Sequence, residues 1–300
     1  MDVAVTGSRG FIGSVLIAAL TRAGHHPVRV VRRQAVGAEE LTWDPEAGVI
    51  DAAGLEGIDG VVHLAGAGIG DKRWTDDRKR LILESRTRGT SLLARTLAEL
   101  TRPPAVLVSA SAIGYYGNRG NELLDEESAP GDDFVARACV QWEASTAPAA
   151  DAGIRVARVR SGIILGRDGG VLPRMLLPFR LGLGGRMGTG RQYMSWISIA
   201  DEIGAILHAL TGAGVAGPVN LTGPAPVTNA EFTKTLGHVL RRPTVLPTPL
   251  LPLRARYGNE LVQHLLVEGQ RVLPRRLEAT GYMFEHPTLE DALRAAVDRH

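Results

Sequence analysis

Through the first two-thirds of the chain, short apolar runs alternate with longer segments whose apolar residues recur every three or four positions. The β-branched runs are residues 3–6 (VAVT), 27–31 (PVRVV), 60–66 (GVVHLAG), 105–111 (AVLVSAS), 154–160 (IRVARVR) and 218–223 (PVNLTG). Each is the length of a strand buried on both faces. After the first run, Ile12, Val15, Leu16, Ala19, Leu20 and Ala23 fall at i, i+3, i+4, i+7, i+8 and i+11. That is one buried stripe of a helix, and Gly24 supplies its stop. Strands alternating with helices predict an α/β fold, a parallel sheet covered by helices on both faces.

Two stretches break this rhythm. Residues 166–194 are rich in Gly, Arg and Pro and read as an excursion over the sheet edge. Residues 243–252 (PTVLPTPLLP) hold four prolines, which excludes a central strand or an unbroken helix. A compact helical tail is expected over 253–298. There is no internal repeat and no low-complexity tract.

Composition narrows the class without naming the chemistry. With 44% apolar and 22% charged residues, the 300-residue chain can bury a real core. A formal charge of +2 is too near neutral to argue for nucleic acid or an anionic membrane as partner. The single cysteine, Cys139, excludes an internal disulfide and a CxxC-type metal site. The eight histidines show no HxxxH spacing, and His25–His26 lies at a turn, so no metal is expected. The N-terminus enters a strand directly, with no basic segment leading into an apolar one, and no apolar run is long enough for a membrane span. A cytoplasmic protein, monomer or homodimer, acting on a small molecule is expected.

The strongest chemical signal is VAVTGSRGFIG, a strand that runs into Gly7-x-x-Gly10-x-x-Gly13 just as a helix starts. Gly7 permits the tight turn, Gly10 lets backbone approach a pyrophosphate, and Gly13 permits close helix–strand packing. The helix N-terminus then offers N–H groups to phosphates. Strand, turn, helix and second strand fall in the order that a dinucleotide site requires. An NAD site places an acid about 20 residues beyond the glycines. Here Arg32 and Arg33 stand there, no acid follows until Glu39, and Arg9 in the turn points to the same region. Guanidinium groups suit a 2′-phosphate, so NADP(H) is the expected cofactor. The plain alternative is that some of these arginines are only solvated.

TGSRGFIG, VVHLAGAGI, VSASAIGYYG and GTGRQYMSWISIADEIGAIL together resemble an extended-type short-chain dehydrogenase/reductase. More closely the chain resembles an atypical branch, described as epimerase-family, nucleoside-diphosphate-sugar epimerase-like or cell-division-inhibitor-like. The branch-specific pieces are KRWTDDRKRLILESRTRGT (72–90), VQWEA (140–144), RSGIILGRDGGVLPRMLLPFRLGLGG (160–185) and GQRVLPRRLEATGYMFEHPTLEDALRAAV (269–297). They cover nearly the whole chain.

The resemblance implies a Rossmann-type, doubly wound parallel sheet over 1–165, rejoined by 195–223, and a smaller C-terminal substrate lobe from 166–194 and 224–300. It also implies cofactor contacts from Gly7, Ser8, Arg9, Gly10, Phe11, Ile12 and Gly13. Arg32, Arg33, Leu64, Ala65, Gly66, Ser109, Ser161, Gly162 and Ile163 complete that set. Ser111 matches the family's catalytic serine. The family's Tyr-x-x-x-Lys pair belongs on the next helix, in FVARACVQWE. The tyrosine position falls on Val135 or Phe134 and the lysine position on Cys139 or Ala138, so both groups are missing. Apolar neighbours make Cys139 a packing residue. Substitute protic candidates are Tyr115 and Tyr116, although one tyrosine in this loop is non-catalytic in ordinary members. Arg73 and Trp74 follow the HLAG strand end and would suit a phosphorylated or carboxylate substrate. Tyr193 and Trp196 would line the cleft from the other lobe, and Asp201 is read as structural.

Two functions stay open at this point. One is an NADP(H)-dependent oxidoreductase or epimerase acting on a small polar carbonyl or nucleotide-sugar-like substrate. The other is a catalytically silent NADP(H)-binding regulatory or scaffold protein, motivated by the missing pair. A specialised reduction or cyclisation in a biosynthetic pathway is a third, weaker idea. Fold alone does not choose among them.

Overall fold

In a computed structural model that describes residues 1–298, all the predicted strand runs join one eight-stranded sheet. Its main strands are β1 (Asp2–Thr6), β2 (His26–Val31), β3 (Glu40–Asp44), β4 (Gly60–His63), β5 (Val106–Ala112), β6 (Arg155–Ser161) and β7 (Gly217–Leu221). They lie in the order β7-β6-β5-β4-β1-β2-β3 with every neighbour parallel. Val49–Ile50 closes the far edge as an antiparallel hairpin against Trp43 and Asp44. β3 is absent from the sequence-based pattern because it alternates Leu41 and Trp43 with polar residues near the sheet edge. The chain leaves β1 in one direction through β2 and β3, then returns to the other side of β1 as β4. Ligands of such sheets bind at the carboxyl ends of the strands beside this reversal.

Strand alternation assigns each side chain to a layer. Val3, Val5, Val62, Val106, Val108, Ala157 and Val159 meet Leu16, Leu20, Ile203 and Ile206 from α1 (Phe11–Arg22) and the later helix Ile199–Thr211. On the opposite face, Ala4, Val61, Leu107 and Val156 meet Leu93, Ala94 and Leu97 from α2 (Asp76–Glu99). The next helix, α3 (Phe134–Ala144), packs beside α2. The helix Ile199–Thr211 is α4, followed by α5 (Asn229–Leu240) and α6 (Leu289–Val297). α1 ends as its pattern requires, with Gly24 in the left-handed region at φ +76°.

A separate core gathers Leu165, Leu172, Leu176, Phe179, Met194, Trp196, Phe232, Leu236, Leu289 and Leu293. The tail is less cleanly divided than expected. Leu277 belongs to the core under α1 and α4, with Tyr282 and Phe284 packed on it. Asp201 explains the connection. Its carboxylate accepts from the Glu285 and His286 amides at 2.7 and 3.0 Å and from the Tyr282 hydroxyl at 3.2 Å. It clamps the tail to α4, which is a structural task. Residues 243–249 are irregular and a helix starts only at Leu250, as the prolines demand. No helix among the described residues is long and apolar enough to cross a membrane.

Candidate active site

The glycine turn is set by backbone contacts. Gly7 has φ +66°, and the Gly10 amide donates to its carbonyl at 2.9 Å. A Cβ on Gly13 would lie 2.2 Å from that same carbonyl oxygen, and one on Gly7 would lie 2.9 Å from the Leu64 carbonyl carbon. The turn after β1 therefore rests directly on Leu64 and Ala65 after β4. Thr6 Oγ1 fastens the two, accepting from the Leu64 and Ala65 amides at 3.1 and 3.2 Å. Its own proton goes to His63 Nδ1 at 2.7 Å, so His63 Nε2 donates to Thr90 at 3.0 Å. Burial keeps His63 neutral, pushing it down to about 4.

The N-terminus of α1 has no side-chain cap and no acid in its first turn. α2, α3, α4, α5 and α6 are capped by Thr75, Asp133, Ser198, Thr228 and Thr288, whereas α1 shares its uncapped start with Leu172–Arg180 and Leu250–Tyr257 and differs from them in following the glycine turn. The N–H groups of α1 are thus left for an anion. Ser8 is buried in the turn and Ile12 packs on the core. The 166–170 loop folds over Phe11, and a Cβ on Gly166 or Gly169 would strike that ring at 2.4 or 2.3 Å. Arg33 pairs with Glu40 at the end of β2, and Arg9 approaches the same carboxylate at 3.7 Å. The Val36 amide, then Arg33, hold the Glu40 carboxyl below the ordinary carboxylate range. Arg32 is exposed.

At the ends of β5 and β6 the same alternation turns Ser109, Ser111 and Arg160 toward α3 and turns Ser161 toward α4. Ser111 Oγ donates to Glu143 Oε1 at 2.7 Å, and Arg160 grips both oxygens of Glu143 at 2.8 and 2.9 Å. The Arg160 Nη1 group donates to the Tyr116 hydroxyl at 2.9 Å, and that hydroxyl donates to Asn220 at 2.7 Å. Tyr116 is fully buried and pushed up to about 12, chiefly by burial. It has no face on the cleft, so the expectation that it meets substrate is not met in this geometry. Ser111 is 5% exposed with its proton committed to Glu143. Tyr115 differs. It is half-buried, its ring lies 3.5 Å from the Arg160 guanidinium carbon, and its hydroxyl has no hydrogen bond among the described residues. Cys139 is buried on α3 and pushed up to about 12 by burial and by Glu143, the state of a packing thiol. Val135 packs against Gly114 in the loop after β5.

Glu143 and Arg160 had one legible sign in the sequence. Val135, Cys139, Trp142 and Glu143 share the buried stripe of α3, and a carboxylate on such a stripe calls for a buried cation.

On the other side of the sheet, Ser161 Oγ donates to Glu202 Oε1 at 2.6 Å, while Glu202 Oε2 is buried without a partner. Burial pushes Glu202 up to about 8 from 4.5, so the folded protein holds it protonated at neutral pH. Between those values the fold keeps a proton that the unfolded chain releases. Stability should therefore fall as pH rises from about 4.5 to about 8, by up to about 1.4 kcal/mol per unit. Glu202→Gln should flatten this slope and be more stable than wild type at the alkaline end, as read from urea midpoints across the window. A parallel pH dependence in both proteins would refute it.

Of the four expected cleft residues, three are elsewhere or partly spent and Arg73 alone is exposed. Trp196 is 1% exposed in the second core with its N–H on the Ala225 carbonyl at 3.0 Å, so it does not line a cleft. Its apolar bulk was better satisfied beside Phe232 and Leu293. Tyr193 is half-buried with Arg271 over its ring. Trp74 is buried with its N–H on the Ile69 carbonyl at 2.9 Å, while Arg73 is exposed and lies against Gly258. Gly162 is pinned beneath the Ser195 carbonyl, Ile163 leads the short strand Ile163–Leu165, and Ser109 Oγ is buried without a partner.

A parallel sheet reversing beside a glycine turn and an uncapped helix, with a serine at the end of the next strand, defines an atypical short-chain dehydrogenase/reductase. Comparison with known proteins agrees. Residues 3–221 match the NAD dependent epimerase/dehydratase family, and residues 248–296 match a domain of unknown function, DUF1731. The chain belongs to that epimerase family, in its epimerase-like atypical branch. It is 46% identical to epimerase family protein MT2273 of Mycobacterium tuberculosis over 99% of this chain and 98% of that protein. It is 39% identical to human epimerase family protein SDR39U1 over 99% of this chain and 100% of the relative. The crystal structure of the human protein with NADPH superposes with a TM-score of 0.91, covering 99% of each chain.

Proposed function

We propose that this protein is an NADP(H)-dependent oxidoreductase or epimerase acting on a small polar carbonyl or nucleotide-sugar-like substrate, without the family's Tyr-x-x-x-Lys pair. The observation that carries it is the uncapped, acid-free start of α1 behind Gly7, Gly10 and Gly13, with Arg9 and Arg33 converging beyond β2. These residues fit a dinucleotide with an extra phosphate. The α1 N–H groups would take the pyrophosphate, and the arginines, released from Glu40, would take the 2′-phosphate. The human relative crystallised with NADPH supports the same cofactor. Bound there, it would supply or accept a hydride over the carboxyl ends of β4 and β5. Ser111 would orient the substrate from the floor of the site. Glu143 and Arg160 would hold that floor rigid, and Tyr115 would offer a free hydroxyl beside it.

NADPH is expected to quench tryptophan fluorescence far more tightly than NADH. Arg33→Ala and Arg9→Ala should each cut that preference by about tenfold, the worth of one charge-assisted contact. NADH binding as tightly as NADPH would overturn the cofactor assignment. The commitment of Ser111 and Tyr116 inside the protein favours the second function, a silent NADP(H)-responsive scaffold. Tight NADPH binding with no oxidation by any carbonyl would select it.

A further inference from the structure

The site has a cofactor cradle and a substrate floor but lacks its family's proton donor. A carboxylate-paired imidazole, His264, stacks on the Trp74 cluster that borders the start of α3. The chain runs through one turn of wide helix at Gln263–Val267, closed by the Glu268 amide on the Gln263 carbonyl at 2.9 Å. Turns of this kind are rare and concentrate at functional sites. The wide turn places three side chains in register. Glu268 Oε2 meets His264 Nδ1 at 2.7 Å, and Glu268 Oε1 accepts from Gln263 Nε2 at 3.0 Å. The carboxylate therefore has a fixed orientation and holds the proton of the imidazole on Nδ1. Nε2 is left free and has no partner among the described residues. A carboxylate behind one ring nitrogen with the other nitrogen open is the geometry of a proton-transferring histidine.

Its location matches the role. The His264 ring is stacked on Trp74, with centroids 6.2 Å apart and planes at 17°. Trp74 in turn meets Phe134 edge-on at 5.3 Å. Asp133, the N-cap of α3, lies with a carboxylate oxygen within 4.8 Å of a ring nitrogen of His264 and a carboxylate oxygen of Glu268. Two residues further along α3 is Val135, one of the positions the family's tyrosine would take. Trp74, Val135, Cys139 and Leu261 form one cluster, with Ala112, Tyr115 and Leu265 packed against it. The tail thus stacks an imidazole on Trp74, whose cluster also takes in Ala112 and Tyr115 after β5. Other charged groups around this cluster are Lys79, which pairs with Glu260 at 2.6 Å, exposed Arg73, Arg160 over the Tyr115 ring, and Arg86 and Glu143 beside Cys139.

We propose that His264, oriented by Glu268, is the proton-transferring catalytic residue of this site, which rests on the oxidoreductase function proposed above. In the reducing direction the carbonyl carbon gains the hydride, the C=O π bond breaks, and the oxygen takes the proton from protonated His264 Nε2. The neutral imidazole regains its proton from solvent, which reaches its side chain at 24% exposure. An imidazole can take and give a proton at its open nitrogen, whereas the family's phenol acts beside a lysine, and neither group is found at the matching positions here. Glu268 is a positioning residue.

The probe is 9,10-phenanthrenequinone, a reactive dione, with NADPH oxidation followed at 25 °C across the neutral pH range. His264→Gln should lower kcat by about 100-fold while NADPH still quenches tryptophan fluorescence. Glu268→Gln should cost about tenfold and displace one limb of the pH–rate profile. Independently of turnover, carbethoxylation of His264 by diethyl pyrocarbonate, read by peptide mass spectrometry, should slow severalfold when NADP+ and the dione are both bound. The inference is overturned if wild-type turnover survives His264→Gln, if the loss follows Tyr115→Phe instead, or if labelling of His264 is indifferent to the ligands. Wild-type protein that binds NADPH but never oxidises it would instead sink the oxidoreductase function itself, and this assignment with it.

Discussion

Arg160→Met should destabilise the protein by about 3–5 kcal/mol, because it strands a buried carboxylate. Glu143 and Arg160 are 6% and 3% exposed at the side chain, and the guanidinium holds both carboxylate oxygens. The Tyr116 hydroxyl also loses its donor, though it keeps Asn220. After the substitution Glu143 has only Ser111 to answer its charge. Either Glu143 takes up a proton or the end of β5 opens to water, and both cost free energy. Removing both partners is a different experiment. Arg160→Met with Glu143→Leu should recover most of the loss, since a packed apolar pair does not carry the desolvation cost of two ions. Urea denaturation of the single and double variants measures the contrast. A loss below about 1 kcal/mol in Arg160→Met would show that the pair is not what holds the floor of the site.

Gly13→Val should abolish useful NADPH affinity, lowering it by at least about 100-fold, near 2.7 kcal/mol. The cause is steric and cannot relax through a side chain. The new Cβ would sit 2.2 Å from the Gly7 carbonyl oxygen and 2.8 Å from the Ser8 Cα, both backbone atoms. α1 must shift away from the turn, and the N–H groups of its first residues lose their aim. Gly24→Ala provides the matched comparison. Gly24 also has a positive φ, +76°, but nothing stands within 4 Å of its absent Cβ. That variant should lose about 1–2 kcal/mol of stability from backbone strain and leave the NADPH quench intact. Equal NADPH affinity in Gly13→Val and wild type would refute the cradle.

The cofactor end was legible because its signals are local. Gly7, Gly10 and Gly13 declare their turn within a few residues, and the stripe from Ile12 to Ala23 declares the helix behind it. The substrate end was not legible in the same way. Tyr116 looked available because it follows Ser111 closely, yet the chain folds it inward onto Arg160 and Asn220. Trp196 looked like a cleft residue from its neighbours and is core. The His264–Glu268 pair had one sequence-level sign, a spacing of four residues, which is also the spacing of an ordinary ion pair on a helix surface.

What the sequence determined alone is the alternation of strands and helices, the glycine turn and its helix, and the breaks at the prolines. Each depends on dihedral preference or hydrophobic period over a short window. What only the tertiary structure decided is which polar groups meet: Ser111 with Glu143 and Arg160, Tyr116 with Asn220 104 residues away, and His264 with Trp74. Those meetings depend on strand order and on the path of the tail across the sheet. A long-range contact is set by topology and desolvation together, and neither is written in the residues immediately around it.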